Sequence, residues 1–99
     1  MTKFIALYKR PDNIEEFEAH YRDVHSPLIA KTPGLERVEI THITGSPMGD
    51  SPYYMMAEMY FADEDAFKIA SASQEWRTAG KDLMGFAGKI VTLLVGESA

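Results

Sequence analysis

The sequence predicts an α+β fold of order βαββαβ, a four-stranded antiparallel sheet with its helices on one face. Three observations carry that prediction. Apolar residues recur at a spacing of two in four segments and at three to four in two others. Proline, glycine and serine clusters separate those segments. The chain has 99 residues, 45% hydrophobic and 25% charged, and domains usually hold about 100–150 residues, so residues 1–99 are expected to form one domain around one core.

Residues 2–9 (TKFIALYK) alternate as a strand, with Phe4, Ala6 and Tyr8 on one face and Ile5 and Leu7 on the other. Pro11 ends it, because proline brings no amide hydrogen to the ladder. Residues 13–25 take a helix, with Asp12 as the expected N-cap and Glu15 three residues on. Ile14, Phe17, Tyr21, Val24 and Leu28 trace one stripe along it. Ser26-Pro27 is expected to break the helix, since the residue before proline is pushed out of the α region. Serine followed by proline then starts a short second turn to Lys31, and Pro33-Gly34 terminates it.

Residues 35–44 (LERVEITHIT) form a strand with Val38, Ile40 and His42 on one face and a wet face of Arg37, Glu39 and Thr41. GSPMGDSP over 45–52 is a turn-rich loop. Residues 53–61 (YYMMAEMYF) are a strand that is mainly apolar on both faces. Asp63 caps the next helix, with Glu64 and Asp65 in its positive first turn. Ser71-Ala72-Ser73 weakens that helix, and a second segment restarts with a stripe of Trp76, Ala79, Gly80, Leu83 and Met84. Gly85 and Gly88 end it, and residues 89–95 (KIVTLLV) are the last strand.

This order is that of the ferredoxin-like sandwich. The sheet face away from the helices should be polar in a monomer. Here the first, third and fourth strands are apolar on both sides. Leaving some eight such side chains in water would forfeit roughly 1.5–3 kcal/mol each. A homodimer is therefore expected, with two sheets closing a shared barrel-like core about a two-fold axis.

Composition excludes several functions. The chain has no cysteine, so it has no thiolate nucleophile, thiolate zinc site or disulfide framework. A net charge of −5 with scattered basic residues argues against nucleic acid and anionic membranes. The apolar run Phe4 to Tyr8 is shorter than the roughly 7–15 residues of a secretory core, and no stretch approaches the about 20 residues of a membrane span. A cytoplasmic protein is expected. No glycine-rich phosphate loop follows a strand.

Among candidate residues, His25 lies at the edge of the first helical stripe, four residues after Tyr21, where half-burial would suit proton transfer. It would equally serve by capping carbonyls at the helix break. His20 sits four residues after Glu16, a metal-pair spacing without further ligands, and is expected on a solvated face. His42 shares its strand face with Val38 and Ile40 and is expected at a core edge or a pocket wall. Tyr8, Tyr21, Tyr54, Tyr60 and Trp76 offer stacking surfaces, and four methionines an adaptable lining. Glu58, the one acid in its strand, is expected to pair with a cation across a dimer; a buried base is the alternative.

The stretch Phe17-x-x-x-Tyr21-x-x-x-His25-Ser26-Pro27-Leu28, followed by Lys31-Thr32-Pro33-Gly34-Leu35, resembles the EthD family, as does the opening strand leading to Tyr8 and Pro11. Asp82, Phe86 and the final strand extend the likeness over essentially the whole chain. The family is named for a protein associated with ethyl tert-butyl ether degradation and belongs to the dimeric α/β-barrel superfamily. Relatives include cofactor-independent monooxygenases, polyketide cyclases and decarboxylases of aromatic acids. The resemblance implies a homodimer, no cofactor, and one pocket per protomer between the sheet and its own helices. The pocket would take a small aromatic or polyketide-like molecule. Phe17, Tyr21, Val24, His25 and Leu28 would line it, with Tyr8, Phe67 and Trp76 completing it. His25 would transfer the proton and Tyr21 or Tyr8 would hold an oxyanion, in an oxidoreductase or a decarboxylase. Related cyclases use a histidine in the second-helix region, and this sequence has none there. The alternative is a non-catalytic ligand-binding or accessory protein of a degradation pathway.

Overall fold

The computed structural model describes residues 1–99. In chain order the elements are β1 (Thr2–Lys9), α1 (Ile14–His20), a π-helical turn (Tyr21–His25), α2 (Ser26–Ile29), β2 (Arg37–His42), β3 (Tyr53–Phe61), α3 (Glu64–Ser71), α4 (Gln74–Ala87) and β4 (Val91–Glu97). The sheet order is β2-β3-β1-β4, with every neighbouring pair antiparallel. This is the expected α+β, ferredoxin-like arrangement. No helix is long and apolar enough to cross a membrane.

Register sets the core. Phe4, Ala6 and Tyr8 of β1 oppose Met59, Ala57 and Met55 of β3 and Val95, Leu93 and Val91 of β4. Directly opposed residues share a face, so these side chains form the surface on which the helices lie. Two clusters result. Tyr8, Phe17, Tyr21, Met55 and Leu83 centre the first, and Ile29, Met59, Phe61, Ala70 and Ala79 the second. Register slips between Tyr8 and Lys9, where Lys9 opposes Tyr53. Tyr54 is thereby released from strict alternation and packs edge-on against Phe17 of α1.

The structure corrects several expectations. The first helix is capped by Asn13, not Asp12: the Glu16 amide donates to Asn13 Oδ1 at 3.0 Å. The chain does not break at Ser26, whose φ and ψ are −58° and −43°. Instead the Ser26 amide reaches back to the Tyr21 carbonyl, five residues away. Pro27 cannot donate and its ring would crowd the carbonyl of Asp23, so a widened turn absorbs the conflict that would otherwise end the helix. β2 is shorter than residues 35–44 and exposed along its whole length, because it is a sheet edge while the helices lie over the centre. The last helix runs through Gly85, and the last strand begins at Val91 rather than at residue 89.

The outer sheet face is divided rather than uniformly apolar. Toward one end Lys3 Nζ pairs with Glu58 Oε2 at 3.1 Å, so Glu58 meets a cation of its own chain. Lys3 and Arg37 lie 4.9 and 4.0 Å from the Tyr60 ring centre and cover it. Toward the other end Ile5, Leu7, Met56 and Leu94 are neighbours by register, and Leu94 is 46% exposed.

Candidate functional site

One extra residue per turn decides what the first helix presents. In an unbroken α-helix Val24 and His25 would return on either side of Tyr21. The wider π turn carries Val24 away from that line and keeps His25 on it, its ring 5.4 Å from that of Tyr21. His25 is consequently 3% exposed, and Val24 points outward at 43%. Such single π turns recur at functional sites because they re-aim a side chain without ending the helix.

His25 does not stand alone. Its Nδ1 lies 3.0 Å from Asp82 Oδ2 of α4, and His20 Nε2 lies 2.8 Å from Asp82 Oδ1. An ionised carboxylate only accepts, so each of those ring nitrogens carries the donated hydrogen. That fixes the His25 tautomer and leaves Nε2 with its lone pair. Burial lowers the His25 pKa below 6.5, and the Asp82 hydrogen bond and charge work in the opposite direction.

His25 lines a cavity of about 90 Å³ between the sheet and the helices. Twelve of the 14 lining residues are hydrophobic, and none is Lys, Arg, Asp or Glu. Tyr8 forms the floor with its neighbours Phe4 and Ala6, and Tyr21 stands beside His25. Trp76 and Leu83 come from α4, and Met84 and Leu93, both about half-exposed, lie where the cavity meets solvent. Burial raises the phenol of Tyr8 above its ordinary range and pushes that of Tyr21 up to about 12. Both phenols therefore stay protonated and available as donors.

Of the predicted site residues, the structure gathers His25, Tyr21, Tyr8 and Trp76 on this cavity. Phe17 is buried behind Tyr8 and Tyr21 rather than lining it. Phe67 packs on Phe4, Phe61 and Trp76 in the second cluster. Leu28 lies in a groove on the outer side of α4, with His20, Lys81, Asp82 and Phe86. Val24 lines neither space. His20 is not on a free face: it holds Asp82 and lies on the Phe86 ring, centre to centre 4.3 Å. Nor does it gather a set of metal ligands with Glu16. His42 is exposed and bonds Glu18 Oε1 at 2.7 Å, away from the core, while the Tyr54 hydroxyl donates to the same oxygen. The role of Asp82 was not visible from spacing. The one local signal is an acid adjoining the buried Leu83 and three positions after Ala79, where a carboxylate needs a partner.

A model of the EthD domain matches residues 13–90. The chain belongs to the EthD family. An EthD family protein from Bacillus halodurans, solved by crystallography, is 45% identical, superposes with a TM-score of 0.95, and is matched over 100% of this chain and 99% of its own. An uncharacterized 11.0 kDa protein in the thcB-thcC intergenic region of Rhodococcus erythropolis is 28% identical over 94 residues, 95% of this EthD chain and 91% of that protein. More distant structures share the fold. SnoaB, a cofactor-independent oxygenase from Streptomyces nogalater, has 18% identity and a TM-score of 0.70 over 98% of this chain and 91% of its own. A protein of unknown function from Bacteroides fragilis, described as dimeric and ferredoxin-like, has 20% identity and a TM-score of 0.65 over 98% and 95%.

The buried histidine makes the stability of this EthD protein depend on pH. Below about 6.5 the unfolded chain takes up a proton at position 25 that the folded chain declines. The contribution of His25 is thus complete above that pH and is lost as pH falls toward the lower folded value. Urea midpoints measured from pH 7.5 to 5 should fall on acidification, and more steeply in the wild type than in His25→Gln. Equal slopes would show that the folded state binds this proton freely.

Proposed function

We propose that the cavity binds a small aromatic or polyketide-like molecule carrying a phenolic or enolic hydroxyl, and that His25 takes its proton. The observation that carries this reading is a buried imidazole held through Nδ1 by Asp82 in the wall of an apolar cavity. Nε2 accepts the proton, and Asp82 stabilises the imidazolium that forms. The hydroxyls of Tyr8 and Tyr21 supply the donors that an oxyanion left in this cavity needs. Apolar walls strengthen each of these interactions by excluding water. A substrate anion with charge delocalised onto carbon could then react with oxygen directly, the oxidoreductase reading that likeness to SnoaB supports. The same histidine, once protonated, would deliver a proton to carbon after loss of carbon dioxide. A carboxylate finds no cation in this lining, which favours the first chemistry over the second.

Size constrains the ligand. About 90 Å³ is the share of roughly three waters, and an apolar cavity near 150 Å³ is what admits benzene. A single ring therefore enters by displacing Met84, whose unbranched side chain repacks readily. We place this site in a homodimer formed through the outer sheet face, in line with structural neighbours described as dimeric. The single tryptophan lies on the cavity and reports on occupancy. Titration with monocyclic phenols should change Trp76 fluorescence and move the His25 ring resonances. His25→Gln should retain the fold and lose any proton transfer. Silence of both probes across a panel of phenols and cyclic diketones would end this reading.

A further inference from the structure

Asp82 stands between two spaces. His25 approaches one carboxylate oxygen from the cavity, with its side chain 4% exposed. His20 approaches the other from the outer groove, with its side chain 33% exposed. We infer that His20 is a positioning residue for the cavity site: through the shared carboxylate of Asp82, its charge governs how readily His25 accepts a proton. This rests on the proposed use of His25 as the proton acceptor.

The argument is one of charge balance. One carboxylate balances one imidazolium. When His20 is neutral, it donates a single neutral hydrogen bond and Asp82 keeps its full charge for an imidazolium at His25. When His20 is protonated, the same carboxylate is already compensated, and a second positive charge at His25 meets the first across it. Two groups coupled in this way share their protons in joint steps. No covalent bond changes and the carboxylate stays ionised, so the device passes charge rather than a proton.

The surroundings make His20 the sensing member. Two surface grooves meet at His20: one carries Lys81 and Asp82 from α4, the other Asp12 and Glu16 from the α1 side with Lys89 beyond the end of α4. His25 faces Asp82, Tyr21 and the cavity walls. Phe86 lies against both imidazoles, at 4.3 and 5.1 Å between centres, and holds the two rings on either side of the carboxylate. A charge arriving in the groove is thereby felt in a cavity it does not enter.

The test needs no ligand, so it fails or succeeds separately from the proposed function. Ring resonances of His20 and His25 are followed by NMR from pH 4 to 9 in the wild type, His20→Gln and Lys81→Gln. His20→Gln keeps an amide donor for Asp82 and removes the titration. The His25 midpoint should rise by about 0.5–1 unit in His20→Gln and by much less in Lys81→Gln. In the wild type, the His25 curve should carry an inflection at the His20 midpoint. If His20→Gln fails to fold, that wild-type curve decides alone. A single-site His25 curve in the wild type, or an unmoved midpoint in a folded His20→Gln, would overturn the inference.

Discussion

Phe61→Ala should destabilise the fold by about 3–5 kcal/mol, a large part of the roughly 5–15 kcal/mol that holds such a domain together. Phe61 is fully buried and closes β3 against the second cluster. Its ring lies 5.2 Å from Phe67 and 6.3 Å from Trp76, both in edge-on geometry. Truncation removes the aromatic contacts and leaves a void that β3 cannot close, because Tyr60 and Met59 are pinned by pairing with β1 and β2. The midpoint of thermal unfolding should fall by at least about 12 °C, at roughly 4–8 °C per kcal/mol. Met48→Ala, at a loop side chain 95% exposed, should change the stability by less than about 0.5 kcal/mol. A loss below about 1 kcal/mol at Phe61 would mean that the second cluster does not pack as described. The same variant should also weaken ligand binding, since Met59, Ile29, Ala79 and Trp76 of that cluster form part of the cavity wall.

The sheet was legible because its information is local. Alternation in TKFIALYK and YYMMAEMYF assigns Tyr8, Ala57 and Met59 to one face, and pairing can only keep or reverse that face as a whole. The helices were legible to within a turn for the same reason. The π turn was not. Ser26-Pro27 announces a conflict with the helix, but a break and a widened turn resolve it equally well at that level. Stacking of the flanking turns on the sheet settles the choice, and those contacts come from residues far away in sequence. The consequence falls on Val24: at 3.6 residues per turn both Val24 and His25 flank Tyr21 and both are expected on the pocket, whereas the π turn leaves only His25 there and sends Val24 outward. Asp82 was illegible for a related reason. Its two partners lie 62 and 57 residues away, and neither spacing leaves a trace in α4 itself. The tie between Glu18, Tyr54 and His42 is likewise long-range, and it depends on a bulge at Tyr54 that simple alternation does not contain.

If the proposed homodimer forms through the outer sheet face, Leu94→Asp, alone or with Ile5→Asp, should convert a two-chain particle into a one-chain particle in light scattering. The two side chains oppose each other in the β1–β4 register on the outer face. Leu94 belongs to neither buried cluster and is 46% exposed, so a carboxylate there leaves the protomer core intact. Far-UV circular dichroism should therefore be unchanged. In a two-fold dimer each substitution enters the interface twice, once from each chain. An unpaired carboxylate buried there costs several kcal/mol, so two per interface weaken association by at least about a thousandfold. Leu94→Val, which keeps the surface apolar, should leave the dimer in place. In the proposed dimer the charged end of the same face would set direction rather than strength: Lys3, Glu58 and Arg37 are already engaged with one another or with Tyr60, so a partner sheet would meet no unpaired cation there. A wild-type chain that sediments and scatters as a single copy at micromolar concentration would remove this interface. It would leave Ile5, Leu7, Met56 and Leu94 as an apolar patch that needs some other cover, because scattered apolar side chains are ordinary on a surface but a contiguous row of them across a sheet is not.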